Sequence, residues 1–233
     1  MPSRVSGRSA GWFVGAVALL LGAATVWQSS YAVFVAKADN PGNAWATGNL
    51  QLATQDGSGG PLTGTAVFAA TDLRPGPTIA PRCVTVDYSG SIAPAGAIRL
   101  YAKDGTSSPA VNAHTLSSYL SLTIEEGTGA TDVACTDFTA SSTLFDTVNR
   151  SGPTDATVIA GSLLDFTTSN SSYATARVGG WTPAAAPPKT SRSYRFTVAF
   201  PGSAVFPGGG SDTIDSDLMS MTARTTFVWE VQS

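Results

Sequence analysis

The chain has 233 residues, with 13 Lys and Arg against 16 Asp and Glu and a net charge of −3 at neutral pH. Phosphate backbones are bound by clustered cations, and none occur here, which argues against a nucleic-acid partner. Charged residues are only 12% of the chain while Gly numbers 24 and Pro 14, so small and hydroxyl side chains must cover much of the surface, as in extracellular β proteins rather than helical cytosolic enzymes.

The first element is a leader. Arg4 and Arg8 precede an uncharged apolar run from Trp12 to Val26, then Gln28, Ser29, Ser30, Tyr31 and Ala32, the three-part layout of a secretory signal. Ser30 and Ala32 suit the −3 and −1 positions of a signal-peptidase site, so residues 1–32 read as a signal peptide cleaved between Ala32 and Val33. A retained anchor is the alternative. Roughly 15 apolar residues at about 1.5 Å rise cover only ~22 Å of a ~30 Å hydrocarbon core, though counting the stretch through Ala36 would let it span. Membrane contact is expected only through such an uncleaved leader, and the expected location is extracellular or at the cell surface. Residues 33–233 read as a single domain: about 200 residues suffice for one sandwich with a core, and no repeat or linker-like break divides them.

From Thr47 onward, short β-branched and aromatic runs alternate with Gly, Pro, Asp and Ser punctuation, the pattern of sandwich strands joined by turns. Val84, Val86 and Tyr88 alternate with Thr85 and Asp87, and Leu120, Leu122 and Ile124 alternate with Ser121, Thr123 and Glu125. Between Asp155 and Phe166, Ile159, Leu163 and Phe166 recur at helical spacing, which predicts one short helix capped by Asp155 across the end of the sandwich. Tyr194, Phe196, Val198 and Phe200 share one face of a strand, with Arg195 and Thr197 on the other; Phe227, Trp229 and Val231 share a face near the C-terminus. The fold is therefore predicted to be mostly β, an antiparallel β-sandwich with one short helix.

Loops are expected over Gln55 to Pro61, Lys103 to Pro109, Gly127 to Asp132, Gly179 to Ser191 and Pro201 to Asp212, with Thr182 to Lys189 extended and polyproline-like. Two cysteines, Cys83 and Cys135, stand behind an export signal and read as one disulfide, with two reduced buried thiols as the alternative.

Catalytic chemistry finds little support. A catalytic zinc needs three protein ligands and a Ser-His-Asp triad needs a histidine base, yet the one histidine, His114, lies in Val111-Asn112-Ala113-His114-Thr115 without a G-x-S-x-G elbow elsewhere. Glu125 and Glu126 are a conspicuous acidic pair, but strand neighbours point to opposite faces and cannot converge on one glycosidic bond, so a solvated strand end is expected. Asp212, Asp215 and Asp217 lack EF-hand spacing, so an ordinary acidic turn is expected ahead of a calcium site. Gly59-Gly60 and Gly208 to Gly210 lack the strand, helix and lysine of a phosphate cradle and read as turns. Tyr31, Trp45, Tyr101, Tyr173 and Trp181 are core or loop anchors ahead of a carbohydrate-stacking surface. No cofactor and no catalytic residue is expected.

Ser30-Tyr31-Ala32-Val33-Phe34, followed by Asn43-Ala44-Trp45-Ala46-Thr47-Gly48-Asn49-Leu50-Gln51-Leu52, resembles the leader and first strand of the TasA/camelysin family. Leu73-Arg74-Pro75-Gly76, Gly161-Ser162-Leu163, Ser191 to Phe196 and Phe227 to Gln232 are similar to further family segments, some of them of actinobacterial type. The resemblance implies a jelly-roll-like sandwich, processing by a SipW-type signal peptidase, and a secreted or surface structural role in matrix fibres. There the N-terminal strand of one subunit completes the sheet of the next, with Val33, Phe34, Val35 and Ala36 as the donor strand. The departures are a lysine-poor chain, two cysteines, and no zinc motif for the endopeptidase activity ascribed to camelysin-like members. Self-association is thus the expected partnership; an extracellular binding or adhesion module is the alternative, and a metalloendopeptidase a more remote one.

Overall fold

Alternating strands of this kind bury one face each, and the molecule does so by laying two sheets face to face. The computed structural model describes residues 35–39, 42–43, 52–56, 76, 78–108, 115–150, 159–186, 188–200 and 221–232, and of 35–39, 42–43, 56 and 108 the backbone alone. Phe34–Ser233 forms one compact unit. Its elements in chain order are β1 (Val35–Asp39), β2 (Gly42–Asn43), β3 (Leu52–Asp56), β4 (Arg82–Tyr88), β5 (Arg99–Ser108), α1 (Leu116–Tyr119), β6 (Ser121–Thr128), β7 (Thr139–Phe145), α2 (Leu163–Ser169), β8 (Arg177–Val178), β9 (Thr190–Ala199) and β10 (Thr222–Gln232). The first sheet runs β2-β1-β10-β5-β8 and the second β3-β4-β9-β6-β7. The pairings are antiparallel in both. The molecule is a β-sandwich.

The inward faces are those the alternation marks. Val84, Val86 and Tyr88 of β4, Leu122 and Ile124 of β6, Tyr194 and Phe196 of β9, and Trp229 and Val231 of β10 are all buried in one core. Aromatic rings join the two sheets. Phe196 lies 4.7 Å from Phe227 and 6.1 Å from Trp229, and Tyr194 lies 5.5 Å from Trp229, within the range where tilted and edge-on ring pairs attract.

The helix starts later than the sequence suggests. Gly161 adopts φ +72°, and residues 161–163 pair in extended form with the start of β6: Leu122 N–H donates to Gly161 O at 2.8 Å and Leu163 N–H to Leu120 O at 2.8 Å. That pairing holds Ile159 outside the helix. Ser162 is the cap, accepting Asp165 N–H at 3.1 Å, as expected of a serine at that position; Asp155 lies outside the described residues. Leu163 and Phe166 are buried as expected, and Phe166 meets Phe145 edge-on at 5.0 Å. The four-residue α1 was not expected, being too short to show a helical period.

Two loop assignments are also corrected. Lys103 to Ser108 continues β5 against Thr222 to Thr226 of β10, and the Asp-Gly signal appears as a bulge, with Asp104 at φ +55°, instead of a turn that ends the strand. Gly127 and Thr128 still belong to β6, and the turn begins at Gly129 and Ala130, both at positive φ. Most of Gly179 to Ser191 is irregular as expected, with β9 taking over at Thr190. Residues 57–61 and 201–212 lie outside the described residues. Among the described residues no helix is long and apolar enough to cross a membrane.

Candidate functional site

The acidic pair is not a solvated strand end. Glu125 and Glu126 do point to opposite faces, but both faces of β6 are covered here. Glu125 lies on the outer face, where Arg195 Nε of β9 donates to it at 2.7 Å. Glu126 lies on the inner face opposite Tyr194 and is only 2% exposed. The strap formed by residues 177–181 crosses it: Gly180 N–H donates to Oε1 at 3.1 Å, and a side chain on Gly179 would overlap Oε2. Arg192 Nε of β9 stands 4.0 Å from Oε1, too long for a hydrogen bond. Oε2 has no hydrogen-bond partner among the described residues.

Such a carboxylate is costly in its charged form, because a buried ion needs a close partner and a full set of hydrogen bonds. Burial accordingly raises the Glu126 pKa, with Arg192, the Gly180 N–H and the Tyr194 phenol pulling it partly back. Burial also holds the Tyr194 phenol well above its usual range, reinforced by the Glu126 charge. The strap is held at its far side too, by Ile98 N–H to Trp181 O at 3.0 Å, with the Trp181 ring buried in the core. Gly179 and Gly180 also line a cleft of about 740 Å³, together with Ser142 and Thr143 of β7 and the exposed Val148 and Val178.

Cys83 and Cys135 form the expected disulfide, with Cα atoms 5.4 Å apart. Cys83 lies on the outer face of β4, and residues 129–138 fold back over that face. Ala130 and Phe138 pack on the bridge, Arg195 stacks 4.8 Å above the Phe138 ring, and Ser193 Oγ donates to Gly129 O at 2.6 Å. Asp132 and Asp137 brace this flap: Thr136 N–H donates to Asp132 at 3.1 Å and Thr131 N–H to Asp137 at 2.8 Å. These bonds hold both carboxyls below the usual aspartate range, the Asp132 shift coming first from the Thr136 hydroxyl and the Asp137 shift from the Thr131 N–H.

Val35 and Ala36 lie in β1, which pairs along β10 in an unbroken register from Val35↔Gln232 to Asp39↔Val228. The other side of β10 is taken by β5. Ala32, Val33 and Phe34 lie outside the described residues, as do His114, Tyr31, Trp45, Asp212, Asp215, Asp217, Gly59-Gly60 and Gly208 to Gly210. Tyr101 is buried and donates to Glu230 Oε2 at 2.6 Å, and Tyr173 stacks under Arg99 at 4.5 Å. With Trp181 in the core, these three aromatics serve as anchors and do not form one face. Among the described residues no group of three or more His, Cys, Asp or Glu is placed to hold a metal ion.

A scan against protein-family models and a comparison with curated proteins each find no match.

Proposed function

We propose that the protein is an exported structural subunit that self-associates at the cell exterior by exchanging its N-terminal strand β1 between copies. The observation that carries the reading is the seat of β1: an N-terminal strand held by a five-residue antiparallel ladder on β10. Such a strand can leave its own sheet and complete the same ladder in a neighbour with every backbone pair conserved.

The remaining edges favour this route over side-by-side sheet growth. Four of the described strands are edges: β3 is a regular five-residue strand, but β2 and β8 are two residues long. β7 carries two bulges, because Glu125 and Glu126 pair with Thr143 and Ser142 while Ile124 and Gly127 pair with Phe145 and Ala140, leaving Leu144 and Ser141 unmatched. Short and bulged edges resist pairing with another sheet. The disulfide is compatible with an oxidising exterior.

The test mixes two single variants, Val35→Cys and Gln232→Cys, in the intact protein. Directly opposed antiparallel residues lie about 4.5–5.5 Å apart, within disulfide range. Exchange predicts oxidised dimers linking one variant to the other, and loss of assembly when residues 33–39 are deleted. Assemblies that persist after the deletion, with no cross-link in the mixture, overturn the proposal.

A further inference from the structure

We propose that the Glu126 carboxylate is a proton-operated latch: protonated, it holds the 177–181 strap closed over the end of the sandwich, and ionised, it drives the strap open. The inference starts from an asymmetry between the two carboxyl oxygens. Oε1 receives the Gly180 N–H, but Oε2 is buried against Gly179 without a hydrogen-bond partner among the described residues. A neutral carboxyl tolerates that position far better than a carboxylate, whose charge has one peptide donor, the Tyr194 phenol and a guanidinium 4.0 Å away, not enough to offset its burial.

The groups facing Glu126 settle which charge the switch answers to. From β9 come Arg192 and Tyr194. Tyr194 is held in its neutral form by burial, and Arg192 supplies the positive charge nearest the carboxyl. From the strap comes the Gly180 N–H, while Arg177 at its start donates to Asn149 O and interacts with Asp165 and Asp146. On β7 the register partner is Ser142, and on β4 Val84 lies beyond Tyr194; neither ionises. Glu125 is on the opposite face with Arg195. Glu126 is therefore the group here whose charge the strap answers to, and burial moves its titration upward from the ordinary glutamate value.

The strap has little else to hold it at this end. β8 is two residues long, and the Gly179 N–H reaches Ile98 O only at 3.4 Å. Two glycines let the backbone approach the carboxyl and leave no side chain to pack there. When the strap lifts, the 740 Å³ cleft that Gly179 and Gly180 line changes shape, so access to this face becomes a function of pH.

Amide NMR on the intact protein tests this directly. The Gly180 N–H resonance should titrate with a midpoint above the ordinary glutamate value of about 4.3. Exchange protection of Gly179 and Gly180, corrected for intrinsic base catalysis, should fall by up to tenfold per pH unit between that value and the midpoint, then level off. Glu126→Gln keeps an oxygen for Gly180 without a charge, and its strap protection should be flat with pH. A wild-type Gly180 titration at the ordinary glutamate value, or a pH-independent strap in the wild type, overturns the latch whether or not the variant folds. So does a Glu126→Gln protein that retains the wild-type pH profile.

Discussion

Replacing Gly179 by Ala probes the contact between strap and sheet with a single methyl group. The backbone there is outside the left-handed region, so alanine meets no conformational penalty, and its cost comes from overlap with Glu126 Oε2. Glu126 cannot retreat cheaply: it is 2% exposed and fixed by the Gly180 N–H. Overpacking costs about 1–3 kcal/mol, and a displaced carboxyl loses the Gly180 hydrogen bond, about 0.5–1.5 kcal/mol. With the two partly overlapping, the expected loss is about 2–4 kcal/mol in urea denaturation. Gly180→Ala is the control, since its methyl would meet Oε1 at 3.4 Å, ordinary contact, and should change stability by less than about 1 kcal/mol, the reduced freedom of the unfolded chain acting in the stabilising direction. The decisive comparison is the double-mutant cycle. In a Glu126→Ala background the methyl has room, so Gly179→Ala should become nearly neutral, a coupling of about 1.5–3 kcal/mol. Additivity within about 0.5 kcal/mol would refute the contact and the strap geometry with it.

Three further outcomes follow from the same structure. Removing the disulfide with Cys83→Ala and Cys135→Ala frees a loop closed over 52 residues and should lower stability by about 4 kcal/mol in the loop-entropy account, read by thermal melts with and without reductant; an unchanged melt would show that the flap is held by Phe138 and Ser193 alone. Ser162→Ala removes the cap on α2 and should cost about 1 kcal/mol, while Ser162→Gly, itself a favoured cap residue, should cost only a few tenths of that; equal losses would argue against capping. Stability should also fall as pH rises above the ordinary glutamate value of about 4.3. Glu126 binds its proton more tightly folded than unfolded, so the folded state holds the extra proton between the unfolded and the raised folded value, and stability is lost as pH climbs through the latter. Asp132 and Asp137 have the opposite sign, contributing stability that is lost as pH falls below the ordinary aspartate range. A urea series that is flat from acid to neutral pH in wild type, and identical in Glu126→Gln, would contradict this assignment.

The sandwich was legible because its strands obey a period of two that a helix could not produce: Val84, Val86 and Tyr88, or Tyr194 and Phe196, leave no second reading. The disulfide was legible from an even cysteine count together with the expectation of export. Glu126 was not, because its neighbour Glu125 makes the pair look like a polar strand end. Its burial depends on a strap more than 50 residues away in sequence, positioned through β8 and Trp181. The one available signal was weak: Leu122 and Ile124 set an inward phase that Glu126 continues, so strict alternation places it inside. Helix onset was misread for a related reason, since the Ser121↔Ser162 bridge that delays α2 is a tertiary contact with no periodic trace.

The bulge at Ser141 links the buried carboxylate to the question of assembly. Ser141 has no partner across β6, yet its hydroxyl donates to Glu126 O at 2.9 Å, so one extra residue both supports the strand at Glu126 and breaks the regular row of donors and acceptors on the outer side of β7. The first five residues of β7 are exposed and none is charged, which leaves irregularity as the edge's main protection. Deleting Ser141 would join Ser142 and Ala140 into one-to-one pairing with Glu126 and Gly127 and straighten that edge. In a background where Val35→Cys and Gln232→Cys lock β1 onto its own β10, the parent should stay monomeric and the deletion variant should associate with rising concentration in light scattering. Ser141→Ala, which keeps the bulge and loses only the hydroxyl, should remain monomeric. If the deletion variant folds and stays monomeric, the bulges do not guard this edge, and the case for β1 exchange must rest on the β10 ladder alone.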